Sequence, residues 1–225
     1  MNIKDSIAVV TGGQRGIGRA LVDELLAQGA DKVYATARHP QHTDNPRIVP
    51  TALDVTDTKS IERLVAQCQD ATMVINNADI SSSRSTLGVS LEELDLVMKT
   101  NLVGPVRIAQ AFAPILAKAG AGAIVNIHSV HSWVGGSGAY GMSKAALWSA
   151  TNSLRKELEP QGILVCGVHF GTPDTDMGSS VQATKNRPTD IAAAIVRGIR
   201  GGKEEILADV TAEKVKLALS MPVHL

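Results

Sequence analysis

The four-residue apolar run Ile7-Ala-Val-Val10 stops at Thr11, and Gly12, Gly13, Gly16 and Gly18 follow in quick succession. Leu21, Val22, Leu25 and Leu26 then recur at helical spacing. A short β-branched run of this kind suits a strand buried on both faces. Strand, glycine turn and helix in this order make a cradle for a dinucleotide. The glycines let the backbone approach a pyrophosphate, and the helix N-terminus offers unbonded N–H groups and a partial positive charge. The spacing Thr11-Gly12-x-x-x-Gly16-x-Gly18 departs from the common G-x-G-x-x-G, so an ordinary strand-to-helix turn is the competing reading.

The rest of the chain decides between them. Strand signals at Lys32 to Ala37, Arg47 to Leu53, Thr72 to Ile75, Ala123 to Ile127, Ile163 to Val168 and Glu205 to Ala208 alternate with helical patterns. Asp57 or Thr58 can cap a helix carrying Ile61, Leu64, Val65 and Cys68, and Ser90-Leu-Glu-Glu93 is a capping box. Gly104 and Pro105 bend or restart a helix that runs to about Lys118, and Pro188-Thr-Asp begins another through Arg197. This alternation predicts an α/β chain with a doubly wound parallel sheet, a Rossmann fold, in a single domain over residues 1–225.

Composition narrows the function classes. The 22 basic residues balance the 22 acidic ones, and no basic run stands out, which argues against nucleic acid as the main partner. No apolar stretch reaches membrane-spanning length, so no membrane partner is expected. Two cysteines without C-x-x-C spacing, Cys68 and Cys166, suit reduced thiols and a cytoplasmic location. Of the six histidines only His128 and His131 are close in sequence. That pair flanks a strand end, so packing or pocket lining is expected there and no metal site.

Tyr140 and Lys144 share one face of any helix through Ala139-Tyr-Gly-Met-Ser-Lys144. A phenol is a poor acid or base at neutral pH, and a cation held beside it favours the phenolate. Ser129 directly ends the apolar run Ala123-Ile-Val-Asn-Ile127. Together these residues make the chain resemble a short-chain dehydrogenase/reductase over nearly its whole length. Thr11-Gly-x-x-x-Gly-Ile-Gly18 resembles that family's cofactor turn, Asp54-Val55 its adenine contact, and Asn76-Asn77-Ala78 the start of its Asn-Asn-Ala-Gly. Asn101, Ser129, Tyr140 and Lys144 resemble its catalytic four. Val168-His-Phe-Gly171 and Thr175-Asp-Met177 resemble its Pro-Gly…Thr segment.

The resemblance implies roles. Tyr140 exchanges a proton with a carbonyl or alcohol oxygen, and Ser129 aims that oxygen. Lys144 lowers the Tyr140 pKa and binds the nicotinamide ribose, and Asn101 interrupts its helix to hold a relay water. Gly12, Gln14, Arg15, Gly16, Ile17, Gly18, Arg38, Asp54, Val55, Asn77, Ala78, Gly171 and Thr175 are the expected cofactor contacts, together with Tyr140 and Lys144. The second strand ends at Arg38 with no acid, and Arg15 and Arg38 could bracket a 2′-phosphate, which favours NADP over NAD.

The chain also departs from the family pattern. Asp79 stands where Gly is common, Phe170 replaces Pro, Pro173 lacks an N–H for the carboxamide, and Ser129 and Tyr140 are unusually close in sequence. Ser81, His131, Trp133 and Phe170 are candidate pocket residues. A short flexible lid is expected at 178–187 and a mobile loop at 81–85. The helices Asn101–Lys118 and Ala139–Glu159, with Leu147 and Trp148, are expected to pair in a homodimer or homotetramer. The leading expectation is a NADP-dependent oxidoreductase acting on a small carbonyl or alcohol. The alternative is a nucleotide-binding regulatory or scaffold protein with little turnover, for which Asp79 and Pro173 speak.

Overall fold

The computed structural model describes residues 1–82, 85–120, 122–175 and 185–221. Seven parallel strands form one sheet in the order β3-β2-β1-β4-β5-β6-β7. They are β1 (Ile7–Val10), β2 (Lys32–Ala37), β3 (Ile48–Ala52), β4 (Met73–Asn76), β5 (Ala123–Ile127), β6 (Leu164–His169) and β7 (Glu205–Leu207). The sheet is the doubly wound Rossmann arrangement that the alternating pattern predicts. Pro50 lies within β3, which is tolerable because β3 is an edge strand and a missing N–H there breaks no inner ladder.

Alternation along each strand sends side chains to two separate cores. Ala8, Val10, Val33, Ala35, Met73, Ile75, Val125 and Val168 pack on one face against α1 (Gly16–Ala27) and α6 (Pro188–Arg200). Val9, Tyr34, Val74, Ile124 and Val165 pack on the other against α2 (Thr58–Gln67) and α4 (Gly104–Lys118). Burial of these large apolar side chains stabilises each layer by roughly 1.5–3 kcal/mol per residue. Both cysteines are buried, and desolvation pushes each thiol up to about 12.

Local chemistry sets the helix boundaries. The Asp57 side chain accepts from the Lys59 N–H and opens α2. Ser90 accepts from the Glu93 N–H and opens α3 (Leu91–Met98), but Glu93 does not complete the capping box, because its carboxylate accepts from the Ser82 hydroxyl at 2.7 Å. A π-helical turn, Lys99–Val103, joins α3 to α4. It supplies the helix interruption expected at Asn101, one turn earlier than Gly104 and Pro105 suggest. Gly104 is needed for close approach, since a Cβ there would lie 3.0 Å from the Val55 side chain.

The remaining helices are α5 (Gly138–Leu158) and α7 (Val210–Ala218). Leu147 is buried within the chain itself rather than left for a partner. The large exposed apolar side chains cluster elsewhere, at Leu87, Leu91 and Leu96 around α3. Residues 178–184 of the expected lid, and residues 83 and 84 of the polar loop, lie outside the described residues. Among the described residues no helix is long and apolar enough to cross a membrane.

Candidate active site

The strand order reverses between β1 and β4, and there the turns after the two strands meet. The Thr11 hydroxyl accepts from the Asn77 and Ala78 N–H groups at 2.9 and 2.8 Å. The Asn77 amide donates to Thr11 O at 2.8 Å and to Gly12 O at 3.3 Å. Asn77 therefore ties the glycine turn to the end of β4. A Cβ at Gly18 would fall 2.1 Å from Gly12 O, so only glycine fits. Gly12 and Gly16 have positive φ values of 64° and 52°. Arg15, at the N-cap of α1, makes no side-chain cap, which leaves the first-turn N–H groups at Gly16, Ile17 and Gly18 without helical partners. A bare backbone cradle at a helix N-terminus on the switch crevice fits the pyrophosphate of a dinucleotide.

Other expected cofactor contacts are distributed unevenly. Arg15 and Arg38 are exposed. The Asp54 carboxylate turns to Thr56, accepting from its N–H at 2.8 Å and its hydroxyl at 2.7 Å, and those bonds hold it below the usual carboxylate range. Gln14 is occupied on Gln41: its amide donates to Gln41 O and its carbonyl accepts from Gln41 N–H, both at 2.8 Å. It pins the loop after β2 to the glycine turn. The Gly171 N–H donates to Asp209, the cap of α7, at 2.8 Å. Thr175 comes within 3.3 Å of where a Gly16 Cβ would be. Pro173 bridges Asn186, and Asp174 N–H donates to Asn186 O at 2.9 Å, closing the base of the segment between them.

The catalytic candidates converge at the carboxyl end of β5. Ser129 follows that strand, and Tyr140 lies in the first turn of α5, hydrogen-bonded to Ser129. The short separation is bridged by the 3-10 turn Val130–Ser132 and by Gly136 and Gly138, both with positive φ. Lys144 lies one turn along α5, with its ammonium 5.5 Å from the Tyr140 ring centre. The Asn101 amide is fully used: its carbonyl accepts from Ile80 N–H at 2.9 Å, and its NH2 donates to Ile80 O at 2.9 Å and to the Ser143 hydroxyl at 3.0 Å. His131 closes one side, its ring 6.1 Å from that of Tyr140 and its Nδ1 2.6 Å from the Ser137 hydroxyl.

Asp79 enters this cluster directly. Its carboxylate lies 2.7 Å from Lys144 Nζ, and the two side chains are only 17% and 2% exposed. Lys144 also donates to Ile127 O at 2.9 Å. Burial works against the Lys144 charge, but Asp79 and Tyr140 outweigh it and hold the ammonium above its ordinary pKa. The expected lowering of the Tyr140 pKa is reversed. Burial pushes the phenol up, Lys144 and the Ser129 hydrogen bond pull it down, and Asp79 pushes it up again, leaving it above its ordinary value.

Two candidate pocket residues belong to the interior instead. Phe170 packs in the core. Trp133 stacks on His169 with ring centres 3.8 Å apart, beneath the Lys216 ammonium. Behind them runs a polar chain that local sequence patterns miss, because its members lie far apart along the chain. His128 Nδ1 faces His169 Nε2 at 3.0 Å, and His128 Nε2 faces the Thr151 hydroxyl at 2.9 Å. Both histidines are buried and held below the ordinary imidazole value by desolvation, His169 at about 4.

Comparison with known proteins agrees with this geometry. The short chain dehydrogenase family model matches residues 6–186. The chain is 32% identical to the 3-oxoacyl-[acyl-carrier-protein] reductase FabG of Salmonella typhimurium, over 93% of this chain and 90% of that one. A short chain dehydrogenase from Burkholderia cenocepacia, solved in complex with NADP, superposes with a TM-score of 0.92 at 31% identity, covering 98% of this chain and 95% of that one. The NADPH-bound carbonyl reductase from chicken fatty liver superposes at 0.83 with 28% identity, covering 89% and 93%. With the glycine cradle on the switch crevice and a Tyr-x-x-x-Lys helix beside it, the chain belongs to the short-chain dehydrogenase family and is an NAD(P)-dependent oxidoreductase.

Proposed function

We propose that the protein reduces a small carbonyl compound, or oxidises the matching alcohol, with NADP(H), and that Tyr140 is the acid and base. The observation that carries this reading is the meeting of Ser129, Tyr140 and Lys144 beyond β5, beside the cradle formed by the turns after β1 and β4. Gly12, Gly16, Ile17 and Gly18 would hold the pyrophosphate, and Lys144 the nicotinamide ribose. When bound, the nicotinamide supplies or accepts the hydride. Tyr140 gives its phenolic proton to the carbonyl oxygen, and the Ser129 hydroxyl aims that oxygen. Acid–base assistance of this kind contributes about 10²–10⁴-fold in rate. Because the Asn101 side chain is saturated, its contribution to a proton relay would come through the main chain of the π-helical turn.

Names of relatives support the substrate class. The reductase of Salmonella typhimurium and the carbonyl reductase from chicken are both named for action on a C=O group. Exposed Arg15 and Arg38, neither guanidinium held in a hydrogen bond or ion pair among the described residues, support a 2′-phosphate clamp and hence NADP over NAD. Exposed Leu87, Leu91 and Leu96 support self-association as a homodimer or homotetramer.

Tyr140→Phe tests the chemistry. It should bind NADPH as the unmodified protein does and lose turnover of 4-nitrobenzaldehyde at least 100-fold, within the range for a lost general acid. Near-normal turnover would refute the role. Arg38→Ala tests the cofactor: titration should show NADPH weakened by about 1.5–3 kcal/mol and NADH little changed. Equal weakening of both would remove the 2′-phosphate assignment.

A further inference from the structure

We propose that Asp79 is a positioning residue: by pairing with Lys144 it takes that ammonium's charge away from Tyr140, and so sets the site to give a proton, toward carbonyl reduction. This rests on the proton role proposed for Tyr140.

The geometry is specific. An ammonium has three N–H donors. Lys144 spends one on Asp79 at 2.7 Å and one on Ile127 O at 2.9 Å, which leaves one for a ribose hydroxyl. Asp79 follows Ala78, whose N–H is fixed on the Thr11 hydroxyl at 2.8 Å, and precedes Ile80, whose N–H and carbonyl are both bound by the Asn101 amide. Each neighbouring residue is tied to the fold, so the carboxylate is carried into the cluster by a braced backbone. Lys144 Nζ is 2.7 Å from this carboxylate and 5.5 Å from the Tyr140 ring centre, so the nearer anion takes the larger share of its field.

The other groups facing Tyr140 do not replace the lost cation. Ser129 is neutral. His131, from the 3-10 turn, is held below the ordinary imidazole value by burial. His128 and His169, on the far side of Lys144, are likewise held neutral. A lysine with no acidic partner would pull Tyr140 toward phenolate, the form that removes a proton from an alcohol. With Asp79 present the phenol persists, and the phenol is the form reduction needs. In that direction the carbonyl carbon gains the hydride of the reduced nicotinamide. The Tyr140 O–H bond breaks as its proton passes to the carbonyl oxygen, and solvent later returns a proton to the phenolate.

The chain has only two tyrosines, so Tyr34→Phe leaves Tyr140 as the sole phenol. The near-ultraviolet absorbance of phenolate in this background, without cofactor or substrate, reads Tyr140 alone. It should ionise above the ordinary value of about 10, and adding Asp79→Asn should lower the midpoint by about one unit or more, tenfold in the equilibrium constant. Asp79→Gly should do the same, which guards against a fold lost to one substitution. If alkali unfolds the chain first, fluorotyrosine in the same background brings the titration into range. Identical midpoints with and without the carboxylate would overturn the proposal.

Turnover gives a second readout. The ratio of 4-nitrobenzyl alcohol oxidation with NADP to 4-nitrobenzaldehyde reduction with NADPH, at one mildly alkaline pH, should rise about tenfold in Asp79→Asn, in step with the midpoint. An unchanged ratio would overturn the directional bias. A protein that binds NADPH yet turns over neither probe would refute the proposed function, and the Tyr140 titration would still decide the role of Asp79.

Discussion

Two buried polar pairs flank the end of β5, and they answer burial in opposite ways. Lys144 keeps its charge because Asp79 meets it at 2.7 Å. His128 and His169 give theirs up, because the nearest acid to His169, Glu205 at 3.8 Å, is already held by Lys216 at 2.8 Å. Desolvation costs several kcal/mol per ion, so a charge survives inside only with a dedicated partner.

The neutral pair also shows in its proton count. Its chain runs from Leu147 O through the Thr151 hydroxyl, His128 and His169 to Ser129 O, with links of 2.7, 2.9, 3.0 and 3.2 Å. One hydroxyl and two neutral imidazoles supply three protons for these four links. The longest link, at Ser129 O, takes the vacancy at least cost, and the Ser132 N–H already satisfies that carbonyl. Catalytic Ser129 thus leans on a neutral network, while Tyr140 faces a charged one.

The largest effect expected from this contrast comes from breaking the charged pair. Lys144→Met leaves Asp79 buried without its partner and should cost about 3–5 kcal/mol in urea unfolding. Adding Asp79→Ala should recover most of that loss, because both charges are then gone. A cost under about 1 kcal/mol for the single substitution would mean that Asp79 turns to solvent at no penalty and that the two pairs do not differ.

The neutral pair should respond to acid. His169 is held at about 4 against an ordinary value near 6.5, so between these values the unfolded chain binds more protons than the folded one. Its contribution is fully present above about 6.5 and is lost as the pH falls toward about 4, up to roughly 3 kcal/mol. His169→Gln should flatten the stability curve over that window. An equally steep curve in the variant would move the acid sensitivity to other groups.

The sequence carried the architecture further than it carried these pairs. Strand runs such as Ala123 to Ile127 and the helical spacing of Leu21, Val22, Leu25 and Leu26 are local patterns, and the sheet follows from them. Tyr140 and Lys144 are legible for the same reason, since one helical turn joins them. Asp79 is visible as a departure from the family pattern, but its partner is not, because that contact depends on how β4 and α5 dock. His128 and His169 are separated by 41 positions, and nothing local links them. Gln14 and Phe170 show the converse: their positions suggest ligand contacts, and tertiary packing assigns them to Gln41 and to the core.

The smallest expected effect isolates environment from geometry. Arg19 and Asp23 on α1 meet at 2.9 Å, close to the 2.7 Å of Lys144 and Asp79, but their side chains are 53% and 54% exposed. Water solvates both charges whether or not they touch, and ordering two long side chains costs entropy that offsets much of the attraction. An exposed pair spaced four residues apart on a helix contributes about 0.3–0.5 kcal/mol, and less in high salt. Arg19→Gln should therefore shift the urea midpoint barely at all, and added salt should erase the shift, whereas the loss in Lys144→Met should persist in salt. If both substitutions cost the same, distance alone would set the strength of these ion pairs. If they diverge as expected, the dryness of the β5 end is what gives Asp79 its hold on Lys144.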